Sequence, residues 1–247
     1  MARVSKDGAV ATNAFASDGV LEKASGVKPV RPRRARIKPE ERYREFVLMA
    51  VELFSEVGFD AGTRELAQRL NVTQPLLYRY FPSKEKLISA VYKEIYLDRW
   101  KPSWKEMLDE RTLPIEERLQ RFYEDYTDTV FTPEWLRIYM LAGLRGVDIS
   151  SRYVVTVEKS ILEPIARGLR DELGIAQDDA LTPEEIELFW SLHGGIFYYG
   201  VRKIVYGFDC PIGKSQMIAN ALRAFLQGAP TVLRERIHAH PNGHTAL

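Results

Sequence analysis

Cysteine is almost absent: Cys210 stands alone in 247 residues. A single thiol closes no internal disulfide and is too few for a zinc–thiolate site, which suits a reducing, cytoplasmic setting. Long apolar runs are missing too. The longest, Leu188 to Phe208, is interrupted by His193, Arg202, Lys203 and several glycines, and reads as a buried helix rather than a membrane span. The stretch Gly8 to Val20 mixes Asn13, Ser17 and Asp18 among its apolar residues, so no secretory signal is read there. Common catalytic spacings are also lacking: there is no His-Glu-x-x-His, no Gly-x-Ser-x-Gly, no phosphate loop and no dinucleotide fingerprint. His193-Gly194-Gly195 resembles an oxyanion-hole run, but it lies in a helical pattern with no nucleophile turn. No enzyme activity, cofactor or metal site is expected, and His238, His240 and His244 are read as part of a mobile tail rather than a chelate.

What is present is an ordinary globular composition, 45% apolar and 28% charged, with an unusual distribution of charge. The whole chain carries +1, yet residues 1–36 hold eight basic and three acidic residues, a net of +5. Residues 37–62 are net −3 and residues 63–86 net +3. Positive charge concentrated in two N-terminal blocks points to a polyanion partner.

Apolar spacing is helical from Pro39 onward, with no sustained alternation of the β type, so an all-α fold is expected. Residues 1–36 lack apolar periodicity and are expected to form a disordered basic arm ending in Arg31-Pro32-Arg33-Arg34-Ala35-Arg36. A first helix opens at Pro39 with Glu40 and Glu41 in its first turn, buries Phe46, Ala50, Leu53, Phe54 and Val57, and stops at Gly58. Further helices are expected at 63–70, 73–81, 83–98, 115–130, 133–144, 153–173, 183–206 and 214–227. Thr132-Pro133 and Thr182-Pro183 supply two of their caps. The organisation expected is an arm (1–36), a three-helix helix-turn-helix domain (37–85), a helical ligand-binding and dimerisation bundle (86–230) and a flexible tail (231–247).

A helix-turn-helix needs a short support helix, a tight turn and a second helix with an outward face for the major groove. Thr63–Leu70, Asn71-Val72 and Thr73–Phe81 supply these parts, with Asn71 tolerating a left-handed turn and Leu66, Ala67, Val72 and Leu77 locking the helices. Thr73, Gln74, Pro75, Tyr78 and Arg79 are left outside. Gln74 can pair with an adenine edge and Pro75 can pack on a thymine methyl, while Tyr78, Tyr80 and Arg79 suit phosphates. Lys84 sits in the first turn of the next helix, where the dipole disfavours a cation unless a phosphate docks beside it; Arg64 stands in the same position on the support helix.

The run from Ala50 to Ala61, then Arg64-Glu65-Leu66-Ala67, then Leu77-Tyr78-Arg79-Tyr80-Phe81-Pro82-Ser83-Lys84-Glu85-Lys86-Leu87, resembles the N-terminal domain of the tetracycline-repressor (TetR) family over about residues 40–92. The resemblance implies that Thr73, Gln74, Pro75 and Tyr78 touch DNA and that Tyr80, Lys84 and the start of the support helix, Thr63 and Arg64, clamp phosphates. Two features depart from the family pattern. The turn before the support helix is one residue shorter, leaving Gly62 or Thr63 as its cap, and Asn71 replaces the usual turn glycine.

The second half is crowded with aromatic residues, and many such residues at helical spacing are simply core. A cavity lined by them suits a mostly apolar, flat or aromatic molecule, and Tyr123, Tyr126, Trp135, Tyr139, His193 and Phe197 are the candidates for contacting it. The last two helices are the expected homodimer surface, through Gly194 and Gly195 on one and Ile218, Ala221, Leu222 and Phe225 on the other. The function expected is a ligand-responsive, DNA-binding regulator: a homodimer on a palindromic operator in double-stranded DNA, released by a small-molecule effector, with no membrane partner. The rivals are a ligand-binding dimer without DNA affinity and, behind it, a helical enzyme.

Overall fold

Helix caps written into the sequence set the element order. The computed structural model describes residues 37–175 and 180–239, and among them there is no strand. Helix α1 runs Pro39–Val57, α2 Thr63–Arg69, α3 Gln74–Tyr80 and α4 Lys84–Tyr92, the last continuing into a π turn at Lys93–Leu97. Next come α5 (Ser103–Asp109), α6 (Ile115–Val130) and α7 (Pro133–Leu144). Helix α8 (Ile149–Val157) passes through a π turn at Glu158–Leu162 into α9 (Glu163–Glu172). Helix α10 (Pro183–Gly200) ends in a third π turn, Val201–Val205, and α11 spans Lys214–Ala239.

Side-chain caps explain several starts. Ser83 Oγ accepts from the Lys86 amide at 3.3 Å, and Thr132 Oγ1 accepts from the Trp135 amide at 3.3 Å. At α10 the cap is reciprocal: the Glu185 amide donates to Thr182 Oγ1 and the Thr182 amide donates to Glu185 Oε2, at 3.2 and 2.8 Å. The same Glu185 carboxylate is held by the buried Arg170 guanidinium, with Nη2 to Oε2 at 2.6 Å, so the head of α10 is bolted to α9. Asn71 takes the left-handed conformation expected of it, φ +51°.

The structure departs from the periodicity reading in four places. Val57, expected inside, is 51% exposed because it closes α1 on its outer side, while Phe46, Ala50, Leu53 and Phe54 are buried. The short α5, which buries Trp104 and Leu108, falls between two of the expected segments. The helix expected to begin at Tyr153 begins at Ile149. Helix α11 was expected to stop at Gln227 with a flexible tail from 231; it continues to Ala239 through Pro230. That proline removes one amide donor, but buried Ala229 and Leu233 flank it and extend the apolar stripe begun by Ile218 and Leu222. The basic arm at 1–36 and the side chains of His238, His240 and His244 lie outside what is described.

From Lys38 onward the chain packs as one compact unit. Helices α2 and α3 pack on each other, α2 also on α1, and α1 on both α4 and α7. Behind them α6 packs on α5 and α11, and α10 on α9 and α11. Residue 85, where a domain boundary was expected, lies in the first turn of α4, and α1 packs on α7 beyond it. Gly58 makes the turn there with φ +83°, and a Cβ at that position would lie 3.8 Å from Leu141 of α7. Beside it Asp60 pairs with Arg145 at 2.6 Å. Gly200, by contrast, serves a close approach within the chain, since a Cβ there would come within 2.7 Å of the Phe131 ring.

Candidate functional site

The surface expected to meet DNA is built from the smallest helices. Leu77 is the buried anchor of α3, Leu66 and Ala67 are those of α2, and Phe81 is buried just after α3. With these turned inward, Thr73, Pro75, Tyr78 and Arg79 stand exposed on one side, Tyr78 at 42%, and Arg64 is exposed at the head of α2. Gly62, not Thr63, occupies the cap position of α2, which frees the Thr63 hydroxyl for another use. It lies 3.1 Å from the Tyr78 hydroxyl and accepts from Gln74 Nε2 at 3.0 Å. Three expected contact residues are thereby brought together. With Nε2 committed to Thr63, bidentate pairing of Gln74 with an adenine requires this bond to open.

Tyr80 is half-buried with its ring edge-on to Phe46, centroids 5.2 Å apart, so much of it is packing against α1. Lys84 has a partner that the sequence did not reveal: its Nζ donates to the Phe59 carbonyl across the turn after α1. This tie accounts for a cation in the first turn of α4 without a phosphate, and leaves two N–H donors.

The second feature is a cavity of about 60 Å³ among four helices, α6, α7, α8 and α10. Tyr126, Trp135, Tyr139, His193 and Phe197 line it as expected. Tyr123 does not; it stands behind, its hydroxyl 3.4 Å from His193 Nδ1. The sequence reading missed Tyr153, Val154, Val157 and Trp190 as lining residues, and it assigned Gly194, another wall residue, to a dimer contact only. Nothing in a single helix's spacing says which residue of a neighbouring helix it will face.

Inside, Trp135 stacks on Tyr139 with ring centroids 5.4 Å apart, and the Tyr126 and Tyr153 hydroxyls share a hydrogen bond of 2.7 Å. Burial holds His193 neutral by lowering its pKa to about 4, and pushes the hydroxyl pKa of Tyr126, Tyr139 and Tyr153 upward. A wider groove of about 480 Å³ lies on the other side of Trp190, lined by charged residues that include Glu158, Lys159 and Glu187.

The expected dimer residues divide. Ile218 and Leu222 are fully buried within the chain, because α11 packs that stripe on its own neighbours, so they are unavailable to a partner. Ala221 is half-buried, and Phe225, also half-buried, packs on Phe189 at 5.4 Å between centroids. Gly194 and Gly195 are exposed, with nothing within 4 Å of an added Cβ. Among the described residues no helix is long and apolar enough to cross a membrane.

Residues 48–91 match the family model for bacterial regulatory proteins, tetR family. The tetracycline repressor protein class G of Vibrio anguillarum is 36% identical over 75 residues, 27% of this chain and 36% of that protein. The match therefore spans about a third of that relative's length. Solved structures extend the likeness of fold. A tetR-family transcriptional regulator from Streptomyces coelicolor has a TM-score of 0.53 at 20% identity, with 82% of this chain and 87% of that one covered. A TetR-like transcriptional regulator from Rhodococcus sp. RHA1 has a TM-score of 0.56 at 20% identity, with 78% and 100% covered. The helix-turn-helix stretch at 48–91 is thus similar to the N-terminal domain of the tetR family of bacterial regulatory proteins, and the all-helical fold around it is like that of these solved structures.

Proposed function

We propose that the protein is a homodimeric transcriptional repressor in the cytoplasm that grips a palindromic operator in double-stranded DNA through α3 and lets go when a small molecule fills the aromatic cavity. The observation that carries this reading is the exposed ridge of Thr73, Pro75, Tyr78 and Arg79 on a helix pinned from behind by Leu77. A surface that offers a threonine methyl, a proline ring, hydroxyls and a guanidinium within about two helical turns suits base edges and phosphates together. Arg64 and the two remaining Lys84 donors add phosphate clamps on either side of α3.

Two such helices must stand about one DNA turn apart, so the operator reading needs a dimer. With Ile218 and Leu222 turned inward, the surface left for a partner is the outer side of α10 and α11, where the small residues Gly195, Ala224 and Gly228 are exposed. Close helix approach across a two-fold axis favours such residues.

The route from cavity to DNA runs through α7. Trp135 and Tyr139 form the cavity wall on this helix; Leu141, further along it, lies next to the turn at Gly58, and Arg145, just past its end, pairs with Asp60. Lys84 then ties the carbonyl of Phe59 to the head of α4. A ligand that widens the cavity displaces α7 and, through this turn, the recognition helix. Only a difference in ligand affinity between the two spacings drives release.

The test is selection of bound fragments from a random double-stranded library, followed by titration of the enriched sequence with wild type and Tyr78→Ala. An enriched palindrome lost in the variant supports the reading. A folded dimer that ignores every duplex at low ionic strength is a ligand-binding protein instead.

A further inference from the structure

We infer that the cavity takes an uncharged single-ring phenol, anchored through its hydroxyl by His193. The inference rests on reading this cavity as the effector site and adds the ligand's chemical class. Three observations converge on it.

The first is charge. None of the cavity-lining residues is Lys, Arg, Asp or Glu, and burial keeps His193 neutral. A carboxylate or ammonium entering here would lose its water and find no counter-ion. Charged residues, among them Glu158, Lys159 and Glu187, line the separate groove that shares Trp190 with the cavity.

The second is unused hydrogen-bonding capacity among aromatic walls. His193 has one long contact, 3.4 Å from Nδ1 to the Tyr123 hydroxyl. A phenolic hydroxyl both donates and accepts, so it suits either tautomer of the neutral imidazole.

The third is size. The space is about 60 Å³. A dry cavity of about 150 Å³ holds one benzene ring, whereas drug-sized ligands need about 300 Å³ or more. One ring therefore needs the cavity to open to more than twice this volume. The wall able to yield is the half-buried Trp190, which separates the cavity from the outer groove.

The experiment titrates the full-length protein near neutral pH with phenol, benzene, benzoate and benzylamine, read by tryptophan fluorescence and calorimetry. Phenol is expected to bind about tenfold more tightly than benzene, with benzoate and benzylammonium silent at the same concentrations. His193→Phe should reduce phenol to the benzene level while benzene binding persists, which shows that the variant is folded, and His193→Gln should retain part of the preference. Binding of benzoate or benzylammonium as tight as phenol overturns the inference. So does a phenol preference undiminished in His193→Phe, or no binding of either neutral ring. Bound operator DNA separates this inference from the repressor reading. Phenol that binds as described yet leaves DNA in place removes the effector role and keeps the ligand class, whereas release by an aromatic acid alone does the reverse.

Discussion

The DNA-facing ridge and the aromatic cavity are built on opposite plans. The ridge comes from one short stretch, Thr63 to Lys84, and most of its side chains already stand in solvent. The cavity gathers residues from Tyr126 to Phe197 on four helices; five of its ten lining residues are buried, and all but Val154, His193 and Gly194 belong to the hydrophobic core or pack against it. A surface site of this kind changes its specificity by substitution at little cost to folding. A site made of core can change its chemistry only by repacking, so its polar groups are tied to stability.

The sharpest contrast should come from the bolt at the head of α10, the helix that brings His193 and Phe197 to the cavity. Arg170 and Glu185 are both buried and joined by Nη2–Oε2 and Nη2–Oε1 bonds of 2.6 and 2.8 Å. Glu185→Ala removes this clamp and the α10 capping box together, and is expected to cost about 3–5 kcal/mol. Urea denaturation of the two proteins measures it. A loss under 1 kcal/mol would break the comparison, because buried polar groups behind the cavity would then be no more costly than ridge residues.

His193 gives the next largest effect. The unfolded chain takes up a proton near pH 6.5, whereas the buried imidazole does so only near pH 4. The stability of the neutral form is complete above 6.5 and falls by about 3 kcal/mol as the pH drops from 6.5 to 4. The rings packed on His193 are Tyr123 and Tyr126 of α6 and Trp190 of its own helix, none of which gains or loses charge in that range. His193→Phe should flatten this part of the decline, measured as the difference in unfolding free energy between pH 7 and pH 4.5. Parallel declines in the two proteins would mean that the imidazole is not shielded in solution.

On the ridge the order reverses. Tyr78→Ala combined with Arg79→Ala is expected to weaken operator binding by about 2–3 kcal/mol, roughly 30- to 150-fold, and to change stability by no more than about 0.5 kcal/mol. Fluorescence anisotropy on a labelled duplex and a thermal melt report the two quantities separately. A variant that melts early and binds normally would place the ridge in the core class instead.

This contrast also explains what was legible in the sequence. The ridge could be read because its determinants are local: Asn71 at a left-handed turn, Ser83 as a cap, and Leu66 and Leu77 at helical spacing each speak for themselves. Lys84 was legible as an anomaly, but its partner Phe59 lies across a turn and leaves no local sign. The helices of the second half were legible where Thr-Pro caps announced them, and α11 outran its reading because a buried Leu233 outweighs Pro230. The cavity was legible as a composition of aromatics, not as a list of neighbours. Tyr153 and Trp190 entered it, and Ile218 and Leu222 left the dimer surface, through inter-helix packing that no single period encodes.

A pair that contributes little to stability tests whether the two regions communicate. Arg145 and Asp60 are mostly exposed, so their 2.6 Å pair is worth no more than about 1 kcal/mol, and Arg145→Ala should melt almost like wild type. Its place matters more than its strength, because it joins the end of the helix that carries Trp135 and Tyr139 to the turn held by Lys84. If displacement of α7 reaches the recognition helix through this turn, Arg145→Ala should leave ligand affinity and DNA affinity each nearly intact while lowering the factor by which one ligand weakens the other. Linkage makes that factor the same in both directions, so titrating DNA with and without ligand, and ligand with and without DNA, gives two measurements of one quantity. An unchanged coupling factor would send the signal elsewhere, by way of the π turn at Lys93–Leu97, where Tyr96 packs on Trp135 and Tyr153.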